Sequence, residues 1–262
     1  MNTSDIIQFN KFAKLHNGKD IFFCKTDYLA RLFASLKGHH TPSVLISGNS
    51  DYPLTDAMIA EAPICIRKWF AQSVNTTHPM AVAMPYGIEN TDDCIIEGHG
   101  KGHGRDYKVE AAANPPERDP TKELYANFSL DTHPVRGPLY QLCESLPYIT
   151  TNASPSHGET NNRPYQVFVD EIVDHKMVVC PRGNAPAETH RFWETLYFNR
   201  VPIIKQNQGN SFFTALPVVA LEDWEQLKDK AFLDVEWERV KDNSREMLEM
   251  SYWERLILNE CM

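Results

Sequence analysis

Arg182, Arg191 and Glu194 are the side chains whose types and spacing carry the clearest chemical signal in this chain. They lie in Met177-Val178-Val179-Cys180-Pro181-Arg182-Gly183, which runs through Asn184 to Glu188 into Thr189-His190-Arg191-Phe192-Trp193-Glu194. That order predicts a buried strand, a Gly/Pro/Asn loop and the start of a helix. The first N–H groups of a helix have no intrahelical partners and, with the helix dipole, favour a negative group. Two guanidinium forks that match phosphate oxygens would strengthen that preference. Glu194, three residues beyond Arg191, falls on the same helical face. A carboxylate there is poor for holding phosphate but suits the two hydroxyls of a ribose. Pyrophosphate plus ribose describes a nucleotide.

Taken alone, Arg191 and Glu194 would fit an ordinary surface pair worth about 0.2–0.5 kcal/mol. Their context favours the ligand reading. The apolar run Val201-Pro202-Ile203-Ile204 follows Asn199-Arg200, so the unit is strand, loop, helix, turn, strand. In open α/β sheets ligands gather at the carboxyl ends of the strands, where this loop would sit.

Upstream, Ile21-Phe22-Phe23-Cys24 and Val44-Leu45-Ile46-Ser47 are predicted strands, with a helix over 28–36 between them. Ile64-Cys65-Ile66 and Ala81-Val82-Ala83-Met84 are further short strands, and the alternation favours a parallel α/β first domain. Between 92 and 122 the pattern gives way to Gly98-His99-Gly100-Lys101-Gly102-His103-Gly104-Arg105 and Asn114-Pro115-Pro116, read as an interdomain linker with a loop that could close over substrate. Its histidines are more in keeping with a solvated loop than with a metal site. The second half should open on a strand over 124–130, with a helix over 138–146, a strand over 148–151, a polar loop over 152–163 and a helix over 165–174. Charged, Leu/Trp-bearing segments after Trp224 read as amphipathic helices.

The block from Met177 to Trp224, with Val-Val-Cys-Pro-Arg-Gly, Thr-His-Arg-Phe-Trp-Glu, Val-Pro-Ile-Ile, Leu216-Pro217-Val218-Val219 and Glu222-Asp223-Trp224, resembles the donor-binding domain of exostosin-like glycosyltransferases, small virus-encoded and bacterial members included. Leu124-Tyr125-Ala126-Asn127-Phe128-Ser129 and Thr132-His133-Pro134-Val135-Arg136 are similar to the segment that opens that domain. The resemblance covers the second half of the chain. It implies a GT-B-like α/β architecture, two Rossmann-like domains facing a cleft, here 1–120 on the acceptor side and 121–262 on the donor side with the terminal helices. It further implies transfer of a sugar from a nucleoside diphosphate, expected to be UDP-linked, to a hydroxyl of a glycan or glycoconjugate acceptor, with inversion and without a metal or added cofactor. Arg136, Arg182, Gly183, His190, Arg191 and Glu194 are the donor-binding residues this implies, the three arginines at the diphosphate and Glu194 at the ribose. Lys205 could also reach the nucleotide.

One general base should then serve the acceptor hydroxyl. Asp51 is the first candidate, since it follows a strand and a Gly48-Asn49-Ser50 turn, although a turn aspartate bonding its own backbone explains it equally well. Glu89 is the second, with His99 or His103 behind it. Two other readings stay open: a retaining or fucosyltransferase-like enzyme, and a catalytically silent nucleotide- or glycan-binding module.

Composition agrees with these expectations. A net charge of −9 and a pI near 5.6 offer no basic face for nucleic acid. The six cysteines form no CxxC pair and read as reduced thiols. No apolar run approaches the roughly 20 residues needed to span a bilayer, and Met1-Asn2-Thr3-Ser4-Asp5 lacks the basic and apolar regions of a leader. The expected location is the cytoplasm, that of the host for a viral protein.

Overall fold

The computed structural model of the chain describes residues 1–91, 106–152, 164–207 and 209–261. Two all-parallel sheets form it. The first has four strands in sequence order, β1 (Ile21–Lys25), β2 (Ser43–Gly48), β3 (Ile66–Ala71) and β4 (Ala81–Ala83), with α1 (Leu29–Ser35) and α2 (Asp56–Glu61) in the connections. The second has five strands in the order β6-β5-β7-β8-β9. These are β5 (Lys122–Ala126), β6 (Ile149–Thr151), β7 (His175–Val179), β8 (Val201–Lys205) and β9 (Val219–Leu221), all paired in parallel.

The connections of the second sheet are α4 (Arg136–Glu144), α5 (Tyr165–Asp174) and α6 (His190–Tyr197), with α7 (Lys230–Val240) after β9. Successive strand residues point to opposite faces, and both faces are covered. Tyr125, Val178 and Ile204 share a core with Val169 and Ile172 of α5 and Phe192 and Trp193 of α6. Leu124, Ala126, Met177, Val179 and Ile203 pack with Leu139 and Cys143 of α4 and Leu233 and Val240 of α7. That doubly covered sheet explains why its strands read as unbroken apolar runs.

The first of these cores also contains the strands of the first sheet. The last helix, α8 (Met250–Asn259), contributes Trp253 and Ile257 to it. Lys14 pairs with Glu254 at 2.7 Å and Ile6 bridges Glu249, so the end of the chain lies against its beginning. Tyr197 joins the halves from α6, accepting from the Ile7 N–H at 2.9 Å and donating to the Leu248 carbonyl at 2.8 Å.

Several predicted bounds shift. Ile64 is 79% exposed and outside any strand, and β3 instead runs Ile-Arg-Lys-Trp-Phe-Ala, its Trp69 and Phe70 being the buried members. The segment expected to be linker contains α3 (Asp106–Ala113), whose Val109, Ala112 and Ala113 are buried. Gly/Pro punctuation on both sides hid a helix whose apolar face is short. The strand expected over 124–130 ends at Ala126, and β9 starts at Val219, after Pro217. The Gly/His-rich stretch with His99 and His103, and most of the polar loop over 152–163, lie outside the described residues.

Candidate functional site

Strand order reverses at β5, which has β6 on one side and β7 on the other. Loops leaving the carboxyl ends of two such strands diverge, and the crevice between them is where doubly wound sheets bind ligands. Arg136, at the start of α4, straddles that point. Its Nε donates to the Arg182 carbonyl at 2.9 Å, Nη1 to the Ser129 carbonyl at 3.0 Å and Nη2 to the Pro181 carbonyl at 3.4 Å. The guanidinium therefore ties the loop after β5 to the loop after β7. It is buried, and burial together with the neighbouring Arg191 brings its pKa down to about 10, so it stays charged at neutral pH. Sequence reading placed Arg136 as an open third cation; its donors are instead largely engaged by backbone.

A cavity of about 240 Å³ lies at the carboxyl ends of β7, β8 and β9, bounded in part by His133, Arg182, Glu188, Lys205, Asn207 and Trp224. Arg182 is half-buried there, with Nε 3.2 Å from the Gly183 carbonyl and Nη2 2.7 Å from the Asn184 carbonyl. Burial lowers its pKa. His133 is held below the ordinary imidazole range by burial and by Arg182 and Arg136. Lys205 pairs with Asp223 at 2.7 Å, so its charge is shared with a surface carboxylate. Asn207 and Asn210 bond each other's backbone N–H groups at 2.8 and 2.9 Å and shape the far wall.

Arg191 and Glu194 lie on α6, which follows the cavity-lining Ala187 and Glu188 in the chain. The helix is strongly amphipathic, with Phe192, Trp193 and Leu196 inward. Arg191 Nε is 3.3 Å from Glu194 Oε2, its Nη1 donates to the Asn127 carbonyl, and its guanidinium lies 4.2 Å over the Phe168 ring. Tyr165 donates to Glu194 Oε1 at 3.4 Å. The i,i+3 pair exists as the helical spacing requires, but Glu194 has a side chain only 7% exposed, which removes it from the class of surface pairs. Arg191 also lies close enough to Arg136 to depress the latter's pKa. Arg136, Arg182, Arg191 and Glu194 thus belong to one neighbourhood around the β5 and β7 loop ends.

The first half meets this neighbourhood at several points. His190 Nδ1 lies 2.9 Å from the Gly87 carbonyl, and its ring packs edge-on against Tyr86 at 5.8 Å. Asn184 donates to Asp51 at 3.3 Å. Glu89 accepts from Lys108 of α3 at 2.6 Å, and Lys108 lies 5.6 Å over the Tyr165 ring. Burial alone would depress the Lys108 ammonium, but Glu194 and Glu89 outweigh it and raise its pKa. The two candidate bases therefore occupy different settings: Asp51 is exposed beside Asn184, and Glu89 is held by a cation that also faces Glu194. Gly183 is half-buried, and a Cβ on it would meet Thr189 at 3.3 Å.

Sequence reading passed over Glu188, Lys108, Tyr165 and Phe168. Lys108 lay inside the supposed linker, and Tyr165 and Phe168 lay in a predicted helix whose side chains were given no role. Glu188 is 4% exposed, and its Oε1 has no hydrogen-bond partner. Burial pushes its pKa up to about 8, against the opposing pull of its own backbone N–H and Trp193. A single glutamate flanked by Ala185, Pro186 and Ala187 was the available signal.

No family model and no curated protein matches the chain. Among solved structures it is similar to an alpha1,3-fucosyltransferase at 12% identity and a TM-score of 0.45, over 86% of this chain and 69% of the other. Similar too are an alpha1,3-fucosyltransferase with GDP (12% identity, TM-score 0.46, 92% and 77% covered) and one with GDP-fucose (13% identity, TM-score 0.43, 92% and 90% covered). With identities of 12–13% and TM-scores of 0.43–0.46, no residue role passes from those proteins to this chain.

Proposed function

We propose that the chain is a glycosyltransferase of the exostosin-like kind, moving a sugar from a nucleoside diphosphate, UDP in the first instance, to a hydroxyl of a glycan acceptor. One observation carries the reading: Arg182 lines the cavity at the carboxyl ends of a doubly wound sheet, and Arg191, paired with the carboxylate of Glu194, lies close to Arg136 at the point where strand order reverses. Arg182 and Arg191 neutralise the diphosphate as it departs, which is electrostatic stabilisation of charge that grows in the transition state. Arg136 acts one step back, holding the two loops in register. Glu194 takes the ribose hydroxyls, with Tyr165 and Arg191 fixing its carboxylate. His190 and Gly183 shape the loop end. The donor lies along the second half, and the acceptor approaches from the Asp51, Tyr86 and Glu89 side, where one carboxylate takes its proton in a direct displacement with inversion.

A thermal-shift screen against uridine, guanosine, cytidine and thymidine diphosphates tests the binding step, because a specific ligand raises the melting temperature by mass action. A shift with one diphosphate supports the reading; no shift with any of them removes it. A donor-sugar panel with NMR of the product anomer then tests inversion and separates a fucosyl donor from other sugars. Binding with neither transfer nor hydrolysis would make the chain a silent nucleotide-binding module.

A further inference from the structure

Glu188 narrows the donor-site reading and rests on it. The residue lines the cavity, is buried, and leaves Oε1 without a partner. An unpaired buried carboxyl costs free energy that evolution has no structural reason to leave in place. Two more orphan polar atoms lie nearby: the Trp193 indole N–H, which approaches the carboxyl without hydrogen-bond geometry, and the Ser73 hydroxyl, which neighbours Tyr86. Tyr86 in turn feels the charges of both Glu188 and Asp51. Side chains of the two halves therefore converge on Glu188 and leave hydrogen-bonding capacity unused.

Its place in the cavity says what would use it. A nucleotide sugar is a linear molecule: ribose, diphosphate, sugar. Arg182, which suits the diphosphate, lines the same cavity as Glu188, so a carboxyl oxygen left unpaired there falls within reach of the group the diphosphate carries, the sugar. The first half faces Glu188 through Tyr86, and a sugar in transit must sit between donor and acceptor. We propose that Glu188 is a specificity-determining residue of the donor site, hydrogen-bonding through its carboxyl to a hydroxyl of the sugar carried by the nucleoside diphosphate. A carboxyl that keeps its proton offers a donor and an acceptor together and sets no negative charge beside the diphosphate. The groups around it are Tyr86 from the first half, which also feels Asp51, Trp193 from α6, and Arg182, His133 and Lys205, which line the same cavity.

Titration calorimetry of the full chain with UDP, UDP-glucose, GDP and GDP-fucose tests this, using Glu188→Gln and Glu188→Leu. Gln preserves donor and acceptor; Leu removes both while filling a buried site with apolar volume, so it should fold. Leu should weaken the sugar conjugate about tenfold or more, as expected for a lost hydrogen bond in a dry site, and leave the free diphosphate within about twofold. Gln should bind both nearly as wild type does. Wild-type affinity for the conjugate should fall as pH rises through about 8, and the Gln variant should lack that fall. The proposal is overturned if Leu binds the conjugate like wild type, or if it weakens diphosphate and conjugate equally. Wild type that binds none of the four ligands overturns the donor-site reading itself, and the Glu188 role with it.

Discussion

The carboxyl edges of the two sheets are handled in opposite ways. In the first sheet the strands follow one another in sequence order, and the edge is filled by the chain's own residues. Asn49, at φ 55°, donates its backbone N–H to the Gln72 side-chain oxygen at 2.6 Å and its side-chain amide to Asn10 at 2.5 Å, while Asn90 donates to Asn49 at 3.2 Å. A Cβ on Gly48 would overlap Gln72 and Phe9. In the second sheet the order reverses at β5, the loops part, and a buried arginine spans the gap beside a cavity. The same parallel architecture gives an edge packed by side-chain amides where strand order is sequential and a cavity where it reverses. Packing closes the first edge; a charged brace keeps the second open.

The largest expected effect tests that brace. Arg136→Met leaves three loop carbonyls short of a donor, and the chain should lose about 3 kcal/mol or more, read as a lower denaturant midpoint at unchanged m-value. A loss under about 1 kcal/mol would show that the loops hold themselves. Gly48→Ala probes the packed edge. It should cost about 1–3 kcal/mol through overpacking while nucleotide affinity, measured on the folded protein, stays at the wild-type value; weakened nucleotide binding would mean that the first edge belongs to the donor-binding part of the site.

Arg191→Ala should reduce transfer more than tenfold, which is about 1.4 kcal/mol of transition-state stabilisation, and initial rates with saturating donor would show it. Glu188 supplies a pH signature on the same side of the comparison. Its carboxyl keeps a proton in the folded chain up to about pH 8, whereas the unfolded chain releases it near the ordinary value of 4.5. The folded state therefore binds more protons across that window, and stability falls as pH rises, with a slope of about 1.4 kcal/mol per pH unit from this group at most. Glu188→Gln should flatten that part of the profile, and equal slopes in the two proteins would show that Glu188 is solvated. The smallest effect belongs to Asp223→Asn. It removes the exposed pairing with Lys205, should leave the denaturant midpoint almost unchanged because solvent screens such a pair, and frees Lys205, so nucleotide affinity should stay equal or rise.

The strongest motif was legible because its physics is local. The run Met177-Val178-Val179, the Pro181-Arg182-Gly183 loop and the amphipathic turn from His190 produced β7, the loop and α6 within a few residues of expectation. Period and punctuation suffice when a strand is buried on both faces and a helix has one apolar stripe. Lys108 was lost because α3 has a short buried face between glycines and prolines. Arg136 was placed at the right loop but given an open side chain, since nothing in residue type says that carbonyls 45 and 46 residues away will occupy a guanidinium.

By itself, then, the sequence determined the alternation of strands and helices, the parallel sheets this entails, and the position of two arginines and a glutamate at one strand-to-helix junction. Those follow from propensity and spacing along a few consecutive residues. Tertiary structure alone decided the reversal of strand order at β5, the conversion of Arg136 from ligand candidate to brace, the Lys108 link between Glu89 and Glu194, and the burial that leaves Glu188 protonated. Each of these depends on which distant groups are brought within a few ångströms and on how much water is excluded there, and neither quantity is written in local sequence.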